Sequence, residues 1–238
     1  ERAGAVLMVG HIERFNPIMR ARRKEAGGGA GGGAGGGVPI VPRFMEISRV
    51  SPMTFRSVDT SVVMDMMIHD IDVVIMLMDG REPDEVHASG VPVITEHEDI
   101  CSARLVFKQP YGTCVANITS SRLAFKTERI TRITGENAYA KIDYGAKAGS
   151  IIRRLANEEQ MKQVRDALRR GEDLTSMKWH DLVQIEELQV DEGEPIVMEI
   201  QAFLDAVKTG QRPEVDASAG LANVRTAERI IEAARKMR

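Results

Sequence analysis

Between residues 84 and 143 the chain offers five strand-like runs at short intervals, 84–94, 99–107, 112–123, 127–135 and 138–143. Turns such as Gln109-Pro110-Tyr111-Gly112 and Gly135-Glu136-Asn137 separate them, which is the pattern of an antiparallel meander. An alternating run, RFMEISRVSP at 43–52, precedes this block, and another strand-like run at 182–190 follows it. Helical patterns lie at the ends. Asn16-Pro17 reads as an N-cap and first-turn proline opening a helix through about Lys24. A charged amphipathic helix is expected over 157–170, ending at Gly171. Two more are expected at about 195–208 and 217–236, the last capped by Asp216. Strands grouped together with helices at the ends predict an α+β fold: one large, mostly antiparallel, open-faced sheet with helices on one face.

The stretch DMMIHDIDVV at 65–74 belongs to a further helix, capped near Thr60 or Ser61 and ending around Asp79-Gly80. Met67, Ile68, Ile71, Val74 and Ile75 form its apolar stripe, and core packing accounts for its methionines. Asp65, His69 and Asp72 fall at i, i+4 and i+7, so an α-helix puts all three on one face as a narrow polar seam. Such a seam faces either solvent or a site.

Two segments stand apart. AVLMVG near the start reads as a buried parallel-type strand at 5–9 with nothing before it to pair with, so earlier βα units are expected to be missing. The run AGGGAGGGAGGG at 26–37 satisfies G-x-G-x-x-G at Gly27, Gly29 and Gly32. It follows a basic helix end and precedes VPIVPRF, the wrong context for a dinucleotide fingerprint, and it reads as a flexible linker.

Bulk properties exclude several classes of function. With 238 residues and a net charge of −3, the chain can bury a core but has no basic block to attract nucleic acid. No apolar run approaches the roughly 18 residues of a membrane span, and the first residues lack a signal peptide's pattern. Cys101 and Cys114 read as reduced core thiols, so the cytoplasm is the expected compartment.

Three stretches together resemble the Gfo/Idh/MocA family of NAD(P)-dependent oxidoreductases: VGHIERFNP at 9–17, VVMDMMIHDIDVV at 62–74, and EIQAFLDAVKTGQRPEVDASAGLANVRTAERI at 199–230. The middle stretch matches the family's D-x-x-x-H-x-x-D helix. With ITSSRLAFKTERITRI at 118–133, the chain is most similar to the sugar-nucleotide dehydrogenase branch. The resemblance implies that residues 1–10 are the last strand of a truncated dinucleotide-binding domain. Residues 11–238 would then be the substrate-binding and oligomerisation domain, with the linker inside it. It implies NAD or NADP in the full-length protein and oxidation of a sugar hydroxyl, C3 of a UDP-N-acetylhexosamine. It also implies a homodimer or homotetramer formed through the open sheet face. The family's glycine fingerprint and Glu-Lys-Pro lysine do not appear in this sequence, so no cofactor is expected to bind tightly to this chain alone.

Alcohol oxidation by hydride transfer must also remove the hydroxyl proton, and a histidine near its ordinary pKa suits that at neutral pH. His69 is accordingly read as acid/base and Asp65 as the carboxylate that orients it or meets substrate. Asp72 is read as a substrate contact or support for His69. Arg14 and Asn16 come from the junction segment, where pockets form. Arg49 and Ser51, at a strand end, are read as facing either the sugar or solvent; Arg122 and Lys126 are read as meeting the pyrophosphate, with a cross-strand pair to Glu128 an equal account of Lys126. No metal site is expected, because no fourth ligand accompanies Asp65, His69 and Asp72. The alternative reading is a non-enzymatic sugar-nucleotide-binding or assembly module without the cofactor domain.

Overall fold

The computed structural model describes residues 4–25, 40–190 and 192–237, so the glycine-rich linker at 26–37 lies outside the described residues. Its strands are β1 (Phe44–Val50), β2 (Glu85–Val91), β3 (Ile100–Gln109), β4 (Gly112–Ser121), β5 (Glu128–Thr134), β6 (Ala138–Asp143), β7 (Ala148–Arg154) and β8 (Val183–Glu187). They form one 8-stranded sheet in the order β2-β3-β4-β1-β5-β6-β7-β8. The helices are α1 (Pro17–Glu25), α2 (Ile68–Leu77), α3 (Glu158–Arg169), α4 (Pro195–Thr209) and α5 (Ala217–Lys236). This is the expected α+β fold, an open and mostly antiparallel sheet carrying its helices on one face.

Alternation builds the sheet's two faces. On β1, Met45, Ile47 and Arg49 are buried while Phe44 and Glu46 are exposed. On β3 and β4 the opposite set bears polar groups: Ser102 bonds Thr119 at 3.2 Å across the strands. The buried set packs under α2 and α5, and α5 also covers β2.

Two features depart from the meander. β1 inserts between β4 and β5, parallel to the first and antiparallel to the second, so the block at 84–143 is split in space. Turn chemistry identifies hairpins but says nothing of a strand arriving from elsewhere in the chain. β7, absent from the sequence reading, lacks clean alternation: Ile151 is its one fully buried side chain among half-buried neighbours. Residues 5–9 also form no strand. With no neighbouring strand beside them among the described residues, they make an isolated backbone contact, Val9 N–H to Val215 C=O at 2.8 Å.

The seam helix begins as expected, with Ser61 Oγ accepting from Val63 N–H at 3.2 Å. Its first stretch, however, is a π turn, Val63–Met67, before α2 continues as regular α-helix. Asn157 closes a full capping box on α3 and Asp216 caps α5. Cys101 and Cys114 are free and buried, and no described helix is long and apolar enough to cross a membrane.

Arg122 is the anchor of the loops at one end of the sheet. Its guanidinium donates to the carbonyls of Ser57 at 3.1 Å, Thr60 at 2.6 Å and Glu98 at 3.2 Å, and Nε lies 3.3 Å from Asp99 Oδ1. Burial works against the Asp99 charge. The N–H groups of Thr95, Ile94 and Val93 and the Thr95 hydroxyl outweigh it and bring its pKa to about 2. Arg122 is therefore a structural residue with both terminal nitrogens already engaged by carbonyls rather than free for a pyrophosphate. Arg122→Ala should cost about 1–3 kcal/mol by removing the buried cation beside Asp99 and the donors to three carbonyls. Urea unfolding tests this, and a loss below about 1 kcal/mol would contradict it.

Candidate active site

Two forked ion pairs organise the region around the seam. Arg14, from the 3-10 turn Ile12–Phe15, donates Nε and Nη2 to the two oxygens of Asp72 at 2.8 and 2.6 Å. Arg49, at the end of β1, donates to the two oxygens of Asp70 at 2.8 and 2.9 Å and to Glu13 at 2.9 Å. Asn16 caps α1 by accepting from Ile18 N–H at 3.2 Å, and its Nδ2 donates to Glu13 at 3.2 Å. Bidentate, charge-assisted bonds of this kind fix geometry as well as energy. They clamp α2 between the junction segment and β1.

His69 stands next in sequence to Asp70, and its Nδ1 is buried without a hydrogen-bond partner. Burial lowers the His69 pKa, and Arg49 lowers it further. Asp70 and Glu13 oppose this, and Arg129 adds to the lowering. The ring is therefore neutral near pH 7.

A second histidine completes the site. His11 is buried, with Nε2 2.9 Å from Asn223 Nδ2 and 3.7 Å from Asp72 Oδ1. Burial lowers its pKa. Asp72 pulls upward, while Arg14 and His69 push down. Asn223, on α5, also donates to the Ile68 carbonyl at 3.0 Å, tying the closing helix to the peptide just before His69.

Of the residues expected from sequence, Arg49 reaches His69 through its neighbour Asp70, while Arg14 and Asp72 stand beside His11; these three and Asn16 are each engaged in an internal pair. Asp65 lies in the π turn, half-buried, and does not pair with His69 Nδ1. Asp72 serves Arg14 and lies beside His11 rather than His69. Ser51 is half-buried, with Oγ 4.0 Å from Met66 Sδ. Arg122 belongs to the separate loop cluster. The sequence reading missed His11, Glu13, Asp70 and Asn223. Glu13 and Asp70 had a signal, because two buried arginines demand carboxylates and the quoted stretches contain them. Asn223 and Thr226 are the polar members of a buried i, i+3, i+4, i+7 stripe completed by Ala227 and Ile230.

The fold is an α+β domain with an open sheet covered on one face, and the site sets a histidine beside forked Arg–carboxylate pairs. Residues 55–238 match the oxidoreductase family's C-terminal alpha/beta domain, and the chain belongs to this Gfo/Idh/MocA family. It is 37% identical over 139 residues to UDP-N-acetylglucosamine 3-dehydrogenase from Acidithiobacillus ferrooxidans, a match over 58% of this chain and 39% of that one. The solved structure of that organism's UDP-N-acetylglucosamine 3-dehydrogenase GnnA superposes with a TM-score of 0.75 at 28% identity, over 97% of this chain and 63% of the other. An oxidoreductase from Agrobacterium radiobacter, solved with NAD+, L-tartaric acid and magnesium, shares the fold at 15% identity, with a TM-score of 0.68 over 100% of this chain and 65% of that one. The chain thus spans less than two thirds of these relatives' lengths.

A dinucleotide's pyrophosphate needs a glycine-led turn from strand to helix. No such turn occurs among the described residues: α1, α3, α4 and α5 are entered through Asn16, Asn157, Glu194 and Asp216, and the seam helix through Ser61. The described residues therefore do not fit the whole dinucleotide.

His11, buried, and His69, half-buried, are held neutral, so their contribution to stability is fully present above about pH 6.5 and is lost as the pH falls through their lowered values. By histidine-detected NMR titration, His69 should titrate below its ordinary value. Arg49→Met should move it upward, since a cation opposing protonation is gone while Asp70 and Glu13 remain. An unchanged or lower value in the variant would refute this electrostatic account.

Proposed function

We propose that this chain is the substrate-binding, acid–base part of an NAD(P)-dependent dehydrogenase. Its substrate is a sugar hydroxyl, C3 of a UDP-N-acetylhexosamine. The observation that carries the reading is the 37% identity to a UDP-N-acetylglucosamine 3-dehydrogenase. The lowered pKa of His69 supports it, because a neutral imidazole accepts the hydroxyl proton as the alcohol becomes a ketone. Hydride acceptance belongs to NAD or NADP.

In this reading His69 is the acid/base residue. Asp65 and Ser51, half-buried and outside the forked pairs, meet sugar hydroxyls. Arg14, Arg49, Asp72 and Asn16 act on substrate indirectly, by holding α2 in place. Residues 1–10 belong with a dinucleotide-binding domain and 11–238 form the substrate domain. The same reading gives a cytoplasmic homodimer or homotetramer assembled through the open sheet face.

The test is absorbance at 340 nm with the full natural reading frame, UDP-N-acetylglucosamine and NAD. Oxidation is expected, and His69→Gln should lower kcat by roughly 10²–10⁴-fold. Because the base must be neutral, kcat/KM should fall at low pH through an inflection below about 6.5. An inflection above that value would contradict the proposed environment of His69. Binding of the nucleotide sugar without NAD reduction would instead assign a non-enzymatic binding module.

A further inference from the structure

Arg49 on β1 stands directly opposite Arg129 on β5. The register puts both on the helix-bearing face, since Met45 pairs with Ile133 and Ile47 with Thr131, all buried. Like charges facing each other across a strand pair repel. Arg49 is neutralised by Asp70 and Glu13. Arg129 has no such relief: among the described residues its side chain makes no hydrogen bond or ion pair, and it is exposed. Its charge nevertheless reaches His69.

An unneutralised guanidinium near a candidate base suits an anionic group on the ligand. Guanidinium matches phosphate oxygens through paired N–H donors. A UDP-N-acetylhexosamine is charged only at its diphosphate, which is attached through the oxygen on C1, two ring bonds from C3. The register sets Arg129 beside Arg49, which bonds Asp70, the residue after His69, so an exposed guanidinium stands next to the group that adjoins the candidate base, on the scale of the short span from C3 to the diphosphate. Arg122, the arginine expected to do this from sequence, has its donors on Ser57, Thr60 and Glu98 carbonyls.

We infer that Arg129 is the anion-recognition residue of the candidate site and grips the diphosphate of a nucleotide sugar, an inference that rests on the proposed substrate class. The test is calorimetric titration of UDP and of uridine into the full reading frame, as wild type, Arg129→Ala and Arg129→Lys. Oxidation of UDP-N-acetylglucosamine by the wild type is measured in parallel. Arg129→Ala should weaken UDP roughly tenfold or more, Arg129→Lys less, and uridine affinity should not change. The melting temperature should hold, since the side chain is exposed and unpaired. Unchanged UDP affinity in Arg129→Ala, with the wild type still oxidising the nucleotide sugar, overturns the inference and leaves the substrate reading standing. A wild type that does not bind UDP overturns it as well, and the parallel assay decides whether the substrate reading falls too.

Discussion

The bidentate pairs Arg14–Asp72 and Arg49–Asp70 are the constraint on which the rest of the site depends. Each joins α2 to an element distant in sequence, one to the junction turn and one to β1, and both are buried. Desolvating charge is expensive, and fork geometry with further hydrogen bonds is what offsets it. Glu13 supplies that extra bond to Arg49, and Asn16 in turn holds Glu13. Loss of any one member leaves an uncompensated buried charge, so the cluster acts as a unit. His69 rides on the helix this unit fixes.

That arrangement separates two tasks a single residue would perform badly. A group engaged in a buried ion pair holds its neighbours well but has few free valences for a ligand. A group free to meet a ligand is poorly fixed unless something else fixes it. Here the arginines and aspartates hold, while His69 keeps a half-buried ring and an unbonded Nδ1. Burial and Arg49 keep that ring neutral, and Asp70 and Glu13 limit how far its pKa falls. The same residues thus set both position and basicity.

Much of the fold was legible because it rests on local signals. Caps at Asn16, Ser61 and Asp216 and the turns between strands are short-range chemistry, and the structure uses them as written. The insertion of β1 between β4 and β5 is a long-range pairing with no local signature. The site was legible in its cationic half: Arg14 and Arg49 stood out as charges on apolar elements. Their carboxylates were harder to assign, because Asp65, Asp70 and Asp72 lie within one short stretch and helical periodicity had to choose among them. Periodicity favoured Asp65 as the partner of His69.

The π turn explains why Asp65 does not pair with His69. One added residue in a turn rotates everything before it by about 100° relative to everything after it. Asp65 lies inside the turn and Asp70 and Asp72 beyond it, so the i, i+4, i+7 face drawn on a uniform α-helix does not exist. Asp65 is left half-buried and out of the ion-pair cluster, whereas Asp70 and Asp72 point to the two arginines. A uniform helix would make Asp65 a rival partner for His69 and draw another carboxylate into a cluster where three already face two guanidinium groups. The surplus charge would raise the His69 pKa and favour its protonated form, the wrong state for a base. The π turn thus keeps Asp65 apart from that cluster while leaving it at the start of the same helix.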